Sequence, residues 1–266
     1  MYLRQIVRIG CRCWALLACI VVLLSAGATA RAQQTQPFSH IDAAAQSLLN
    51  QAIQALGGPA FLGFKTLSTQ GRAFSIMDGV TAGFVQYQSA FEFPDKRRLS
   101  YGLGKSKSVT LINNGDQGWE VDRYGLIEQP PKEIHAWRLA NRYSLENLLR
   151  LRVREPGTLI QAGGEDFVNN LPAKIIDIVD SRQVEVKVYL SEETHLPIRI
   201  TYRLMDPSTH EWDDYADVYA SYREAQDVQT AMHLVRYHNG ERVAETFRTQ
   251  ARYNQTYASG YFQAGP

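Results

Sequence analysis

Cysteine is almost absent from this sequence, and its placement excludes more than its scarcity does. The 266-residue chain has three, Cys11, Cys13 and Cys19, all within the first 32 residues. There Arg4, Arg8 and Arg12 precede an apolar run from Trp14 to Leu24, and Ala30-Arg31-Ala32 offers small residues at a cleavage position. That order is the layout of a secretory signal. The run is short for a membrane anchor and passes into Ser-Ala-Gly-Ala-Thr-Ala. Leu16-Leu17-Ala18-Cys19 loosely fits a lipidation motif, yet most of the apolar region follows Cys19 instead of preceding it. Cleavage after Ala32 is therefore expected, delivering residues 33–266 to the periplasm with no integral membrane span. A chain so trimmed has no cysteine, which rules out a disulfide, a thiol nucleophile and a thiolate metal site.

Excess positive charge is lacking as well. Removing the signal removes Arg4, Arg8, Arg12 and Arg31 and no acidic residue, so 24 basic side chains face 27 acidic ones. Binders of nucleic acid or of anionic membranes carry the opposite sign and a basic cluster, so neither partner is expected. The six histidines, His40, His135, His195, His210, His233 and His238, include no His-Glu-x-x-His pair; His233 and His238 point to opposite faces of one strand. No Gly-x-Ser-x-Gly elbow or phosphate loop is present. Glu211, Asp213, Asp214 and Asp217 cluster, but they lack the glycine and spacing of a calcium loop and read as a solvated turn. No catalytic set, metal site or cofactor is expected.

What the sequence does have is strand periodicity. Between Leu171 and Arg252, six β-like segments are separated by linkers of a few polar residues. Val184, Val186, Val188 and Leu190 share one face, opposite Glu185, Lys187 and Tyr189. In the next segment Ile198, Ile200, Tyr202 and Leu204 oppose Arg199, Thr201 and Arg203. A period of two gives strands with one buried and one wet face. Linkers this short cannot hold a parallel crossover, so neighbours pair as antiparallel hairpins in a meandering sheet.

The earlier half extends the same theme. Ser39 and Asp42 make a capping-box-like start to a helix over residues 41–56, whose apolar positions repeat at three and four residues until Gly57-Gly58-Pro59 stops it. Phe61, Leu62 and Phe64 then anchor the turn into the first strand. Asp78-Gly79 and Asn114-Gly115-Asp116-Gln117-Gly118 mark hairpin tips, Pro94-Asp95 closes another turn, and Trp119 reads as a core or edge aromatic in preference to a ligand-stacking one. Pro130-Pro131 breaks the strand pattern. From Lys132 to Val153 the chain reads as helix, divisible at Ser144, with Ile134, Trp137, Leu145, Leu148 and Leu149 as its apolar positions. No Pro/Gly/Ser-rich linker divides residues 33–266, so one domain is expected, with a flexible start at residues 33–38 and a loose end after Tyr261.

Several short segments carry a resemblance. They are Ala55-Leu56-Gly57-Gly58, the hairpin ending in Gly118-Trp119, Tyr189-Leu190-Ser191-Glu192-Glu193-Thr194-His195-Leu196-Pro197-Ile198, and Tyr219-Ala220-Ser221-Tyr222-Arg223-Glu224. With the export signal, these resemble periplasmic outer-membrane lipoprotein-sorting proteins, the LolA/LolB-like superfamily. The chain departs from that pattern in its greater length and in having Asp227-Val228-Gln229-Thr230-Ala231-Met232 where relatives often show Gly-Val-Lys-Leu-Pro. The resemblance implies a mainly β fold, an unclosed antiparallel β-barrel or half-barrel with helices lidding its concave face. It also implies a hydrophobic cavity for the acyl chains of lipoproteins or other lipids.

On this reading the ligand-binding residues are Trp137, Leu145, Leu148 and Leu149 from the lid and Val186, Val188, Ile198 and Ile200 from the sheet, all four sheet residues facing one interior. The alternative is a structural or sensory envelope module in which the same half-barrel has a filled core and its surface binds a protein partner. Inward apolar residues look alike in the two cases.

Overall fold

The computed structural model describes residues 40–77, 79–102, 108–206 and 209–264. The expected export signal, the expected flexible start and Ser39 lie outside them. Among the described residues, fourteen strands form one sheet in the order β1-β8-β9-β10-β11-β12-β13-β14-β2-β3-β4-β5-β6-β7. Strands β2 (Thr66–Met77), β3 (Val80–Glu92), β4 (Lys96–Gly102), β5 (Ser108–Asn114), β6 (Gln117–Asp122) and β7 (Gly125–Glu128) form one antiparallel meander. Strands β8 (Leu159–Val168), β9 (Leu171–Val179), β10 (Glu185–Ser191), β11 (Pro197–Met205), β12 (Trp212–Ala225), β13 (Val228–His238) and β14 (Glu241–Tyr253) form the other. Pairing of β14 with β2 joins them. The short β1 (His40–Ile41) adds the one parallel pairing, to β8. Strands β1 and β7 end the order without meeting, so the barrel is open.

That order dictates where the helices go. Strand β7 lies at one edge and β8 near the other, so the segment joining them must cross a face of the sheet. It does so as α3 (Pro131–Arg142), α4 (Leu145–Arg150) and a single 3-10 turn. Ser144 caps α4 as its pattern predicts, its hydroxyl accepting from the Asn147 amide at 3.4 Å. The other crossing runs from β1 to the middle strand β2 through α1 (Ala43–Ala55) and α2 (Pro59–Gly63).

Helix α1 begins one turn later than a Ser39 cap implies. His40 and Ile41 pair with β8, and Asp42 becomes the cap, its carboxylate accepting from the Ala45 amide at 2.6 Å and from the Ala162 amide at 2.9 Å. Ala45, Leu49, Ala52, Ile53 and Leu56 form the apolar stripe of α1, all at most 7% exposed. They meet inward residues of β8 to β13 in one core that also holds Leu148, Leu149, Val188 and Ile200. Those last four are 0% exposed, and each such burial contributes about 1.5–3 kcal/mol.

One expectation about the chain end needs correction. The segment after Tyr261 is not loose throughout, because Phe262 is 5% exposed and packs on Tyr257 and Tyr261. A further short strand, β7, precedes the Pro130-Pro131 break.

The end of α1 depends on Gly57. Its φ is +120°, and a Cβ there would stand 2.1 Å from the Asp227 carbonyl oxygen, because the β12–β13 turn docks on the helix end through a 3.0 Å bond from the Gln229 amide to the Leu56 carbonyl. Gly57→Ala is expected to destabilise the fold by at least ~1–3 kcal/mol, the usual strain of such a backbone. Chemical denaturation checks it, and an unchanged midpoint would refute this docking.

Candidate ligand-binding groove

The helical crossing is pinned by a buried ionic cluster. Arg142, at the end of α3, donates to Asp180 Oδ2 from Nε at 3.0 Å and from Nη2 at 2.8 Å, and to Glu155 at 3.2 and 2.6 Å. Asp180 is 0% exposed. It also accepts from the Tyr143 hydroxyl at 3.0 Å and from the amides of Arg182 and Val184 at 2.8 and 3.0 Å, so every buried lone pair has a donor. Burial would raise the Glu155 pKa, but hydrogen bonds from Arg142, Ser181 and Arg152 outweigh it and hold the carboxyl at about 2. Burial likewise pushes the Tyr143 hydroxyl up to about 12.

At the other end of the crossing, Gly118 sets how closely α3 approaches. A Cβ there would come within 2.4 Å of Gln129 Oε1 and 2.9 Å of Ile134 Cγ1. The bare backbone lets Gln129 accept from Asn113 Nδ2 at 2.8 Å. In the middle, Asn141 and Asn147 both donate to the Pro94 carbonyl at 2.9 Å. Arg150 of α4 donates to the Phe64 and Leu62 carbonyls, with its guanidinium 3.9 Å from the Phe64 ring centre.

These anchors split the expected lid into two parts with different roles. Leu145, Leu148 and Leu149 on α4 are embedded in the same core as Val186, Val188 and Ile200. They belong to one continuous buried cluster with the apolar stripe of α1, so this part of the concave face is filled. Ile198 leaves that set. Register runs from Tyr189 opposite Arg199 to Leu190 opposite Pro197, which makes Ile198 the extra residue of a bulge. The bulge turns Ile198 into a separate small cluster with Val168, Ala173, Ile175 and Tyr189. Four sheet residues facing one interior is therefore corrected to three.

Trp137 differs. It is 7% exposed and lines a cavity of about 190 Å³ between α3, α4 and the sheet, with Phe91, Phe93, Arg97, Asp217, Tyr219 and Arg236 among its walls. An open groove of about 380 Å³ shares Phe91, Arg97, Leu234 and Arg248 with it. The groove runs over β2, β3, β4, β13 and β14, where alternate residues Val85, Tyr87, Ser89 and Phe91 of β3 and Arg97, Leu99 and Tyr101 of β4 point inward. Space remains because Thr69, Ala73, Ser75 and Ser89 are small. The groove has a size that small-molecule sites have, roughly 300–1,000 Å³.

Charge collects where cavity and groove meet. Asp217 accepts from Arg236 Nε at 2.7 Å and Nη2 at 2.8 Å, which raises the Arg236 pKa. Arg97 donates to Asn113 Oδ1 at 3.1 and 2.7 Å, and its guanidinium lies 5.7 Å from the Trp137 ring centre. The acidic cluster is thus not one solvated turn. Asp213 meets His238 and Asp214 meets Arg203 at its exposed end, whereas Asp217 is 8% exposed on the groove side. Sequence reasoning passed over Arg97, Arg236 and Arg248. Their signal was a charge on the apolar side of an alternation, as in Arg97-x-Leu99-x-Tyr101 and Leu234-x-Arg236.

No family profile matches the sequence, and no curated protein matches it. Solved structures do match the architecture. A DUF1329 family protein from Desulfovibrio piger aligns over 82% of this chain and 97% of its own at 8% identity, with a TM-score of 0.53. An outer membrane lipoprotein-sorting protein domain from Vibrio parahaemolyticus gives 0.51 at 9% identity over 82% and 97%. A LolA superfamily protein from Nitrosomonas europaea gives 0.51 at 11% identity over 80% and 94%. The chain has the LolA-type fold. At these identities the likeness is one of architecture, and it bears out the half-barrel with helices on its concave face. Among the described residues no helix of this LolA-type fold is long and apolar enough to cross a membrane.

The ionic cluster makes two measurable statements. Asp180→Ala removes one of the two carboxylates paired with the buried Arg142 and leaves its Nε without an acceptor, and is expected to cost roughly 3–5 kcal/mol. Because the folded Glu155 pKa lies below the ordinary value of 4.5, its contribution is complete above that value and is lost as pH falls towards 2. Thermal unfolding against pH is expected to show a smaller acid loss in Glu155→Gln than in the parent, and equal slopes would contradict the assignment.

Proposed function

We propose that this protein is an exported periplasmic carrier that holds an acyl chain of a lipoprotein or another lipid in the groove over β2, β3, β4, β13 and β14. The single observation behind this reading is the division of the concave face. One half is packed solid by α1 and α4, while the other presents an open, largely apolar groove with a cavity at its inner end. Affinity would come from burial, about 0.8 kcal/mol for each methylene taken from water. Of the eight ligand residues expected from sequence, Trp137 lines this space, while Leu145, Leu148, Leu149, Val186, Val188 and Ile200 support it from the core. The sorting role in the name of the Vibrio structure agrees with a carrier, although at 9% identity the agreement is one of fold.

A second reading, an envelope module with a protein partner, is favoured by β7. All four of its residues are exposed, Leu126 at 46% and Ile127 at 61%, on the last strand of the sheet. An uncovered edge of this kind can accept another strand.

A fluorescent fatty acid separates the readings. On binding, Trp137 emission is expected to change in the parent and the response to vanish in Trp137→Phe. Leu99→Glu, which puts a charge in the groove wall, is expected to abolish capture at near-parental stability. Leu149→Ala is expected to cost roughly 2–5 kcal/mol with probe affinity unchanged. Capture that survives Leu99→Glu but is lost in Leu149→Ala would move the site back into the core and refute this groove.

A further inference from the structure

The inner end of the groove carries positive charge that the protein itself does not neutralise. Three guanidiniums, Arg97, Arg236 and Arg248, line the cavity with two carboxylates, Asp217 and Glu146. Of the three, Arg236 alone is in an ion pair among the described residues, and that pair uses both Asp217 oxygens. Arg97 is held by a neutral amide, Asn113, and Arg248 by the Ala231 carbonyl at 3.1 Å. Each guanidinium has five N–H donors, so both retain free ones. Burial, reinforced by the like charge of Arg236, lowers the Arg97 pKa to about 10. A cation held in this way gains most from an anion brought by something else.

An independent observation points the same way. Trp137 Nε1, Tyr87 Oη and Ser89 Oγ are buried without any hydrogen-bond partner. Their residues are each 7% exposed and line the cavity or the groove beside it. Unbonded buried polar atoms are uncommon and each leaves a cost unless a partner arrives. All three can donate a hydrogen bond, as all three arginines do, so an oxygen-rich acceptor satisfies the whole set.

We infer that the inner end of the groove recognises an anionic head group, and that the ligand class is an amphiphile joining one carboxylate or phosphate to an apolar chain. The inference deepens the acyl-carrier reading and rests on it. The head would sit between Arg97 and Arg248 under Trp137, and the chain would run outward past Leu99 and Val85. The Arg236–Asp217 pair would hold the floor.

Calorimetric titration of the full protein with decanoate, decyl phosphate and the neutral decanol tests this. At least one anion is expected to bind tenfold or more tightly than decanol, and whichever binds better identifies the head as carboxylate or phosphate. Arg97→Gln and, independently, Arg248→Gln are expected to weaken the preferred anion until that ratio falls to about one, with thermal unfolding confirming that each variant folds. Decanol binding as tightly as both anions would overturn the head-group inference and leave the carrier reading intact. Absence of binding by all three would overturn both. Displacement of decanoate by inorganic phosphate at equal concentration would show a site for the anion alone and overturn the amphiphile.

Discussion

The structure depends on a topological constraint. Because β7 and β8 lie at opposite sides of an open sheet, the chain between them has to cross the concave face, and what it leaves uncovered becomes available to a ligand. Elementary sheet geometry alone does not say where along the face the crossing sits. Arg142 does, because its guanidinium is satisfied only between Asp180 on the β9–β10 side and Glu155 at the start of β8. A buried ion pair of this kind is modest evidence for stability, since desolvation offsets much of the attraction, but it is strict about position: a shifted α3 would take the guanidinium away from the buried Asp180.

The two halves of the face then diverge for reasons visible in side-chain size. Over β8 to β11 the inward residues are mainly Ile, Val and Leu, with α1 and α4 adding Leu49, Ile53, Leu148 and Leu149, and the result is dense packing. Over β2, β3 and β4 the inward positions include Thr69, Ala73, Ser75 and Ser89, and among the described residues no helical side chain lines the groove beside them. The filled half supplies stability. It thereby lets the open half keep unsatisfied donors and unpaired guanidiniums that would otherwise be a net cost.

Much of the fold was legible in the sequence because it is written in local patterns. Alternation from Ala173 to Arg252, the pairing of β2 with β3, the Ser144 cap and the Pro130-Pro131 break all correspond to observed elements, while Asp78 of the expected turn lies outside the described residues. The site was less legible. Leu145, Leu148 and Leu149 present the same pattern whether they cover a cavity or fill a core, and only the crossing geometry separates the two. Ile198 carries the right period but sits at a bulge, and a single extra residue inverts the face it serves. Arg97 and Arg236 could have been found as charges on apolar faces, a signal that depends on knowing which strands are neighbours. Strands β4 and β13 are distant in sequence and are brought to one groove by the β14–β2 pairing.

The central claim is that the uncovered half of the concave face is a binding site for an apolar chain and not an imperfectly packed surface. Native mass spectrometry of the protein isolated from the cell envelope under gentle conditions tests it most directly. The account predicts a population heavier than the polypeptide by one acyl-bearing molecule, released on moderate collisional activation. A single species at the bare polypeptide mass, unchanged after incubation with envelope lipids, would contradict it.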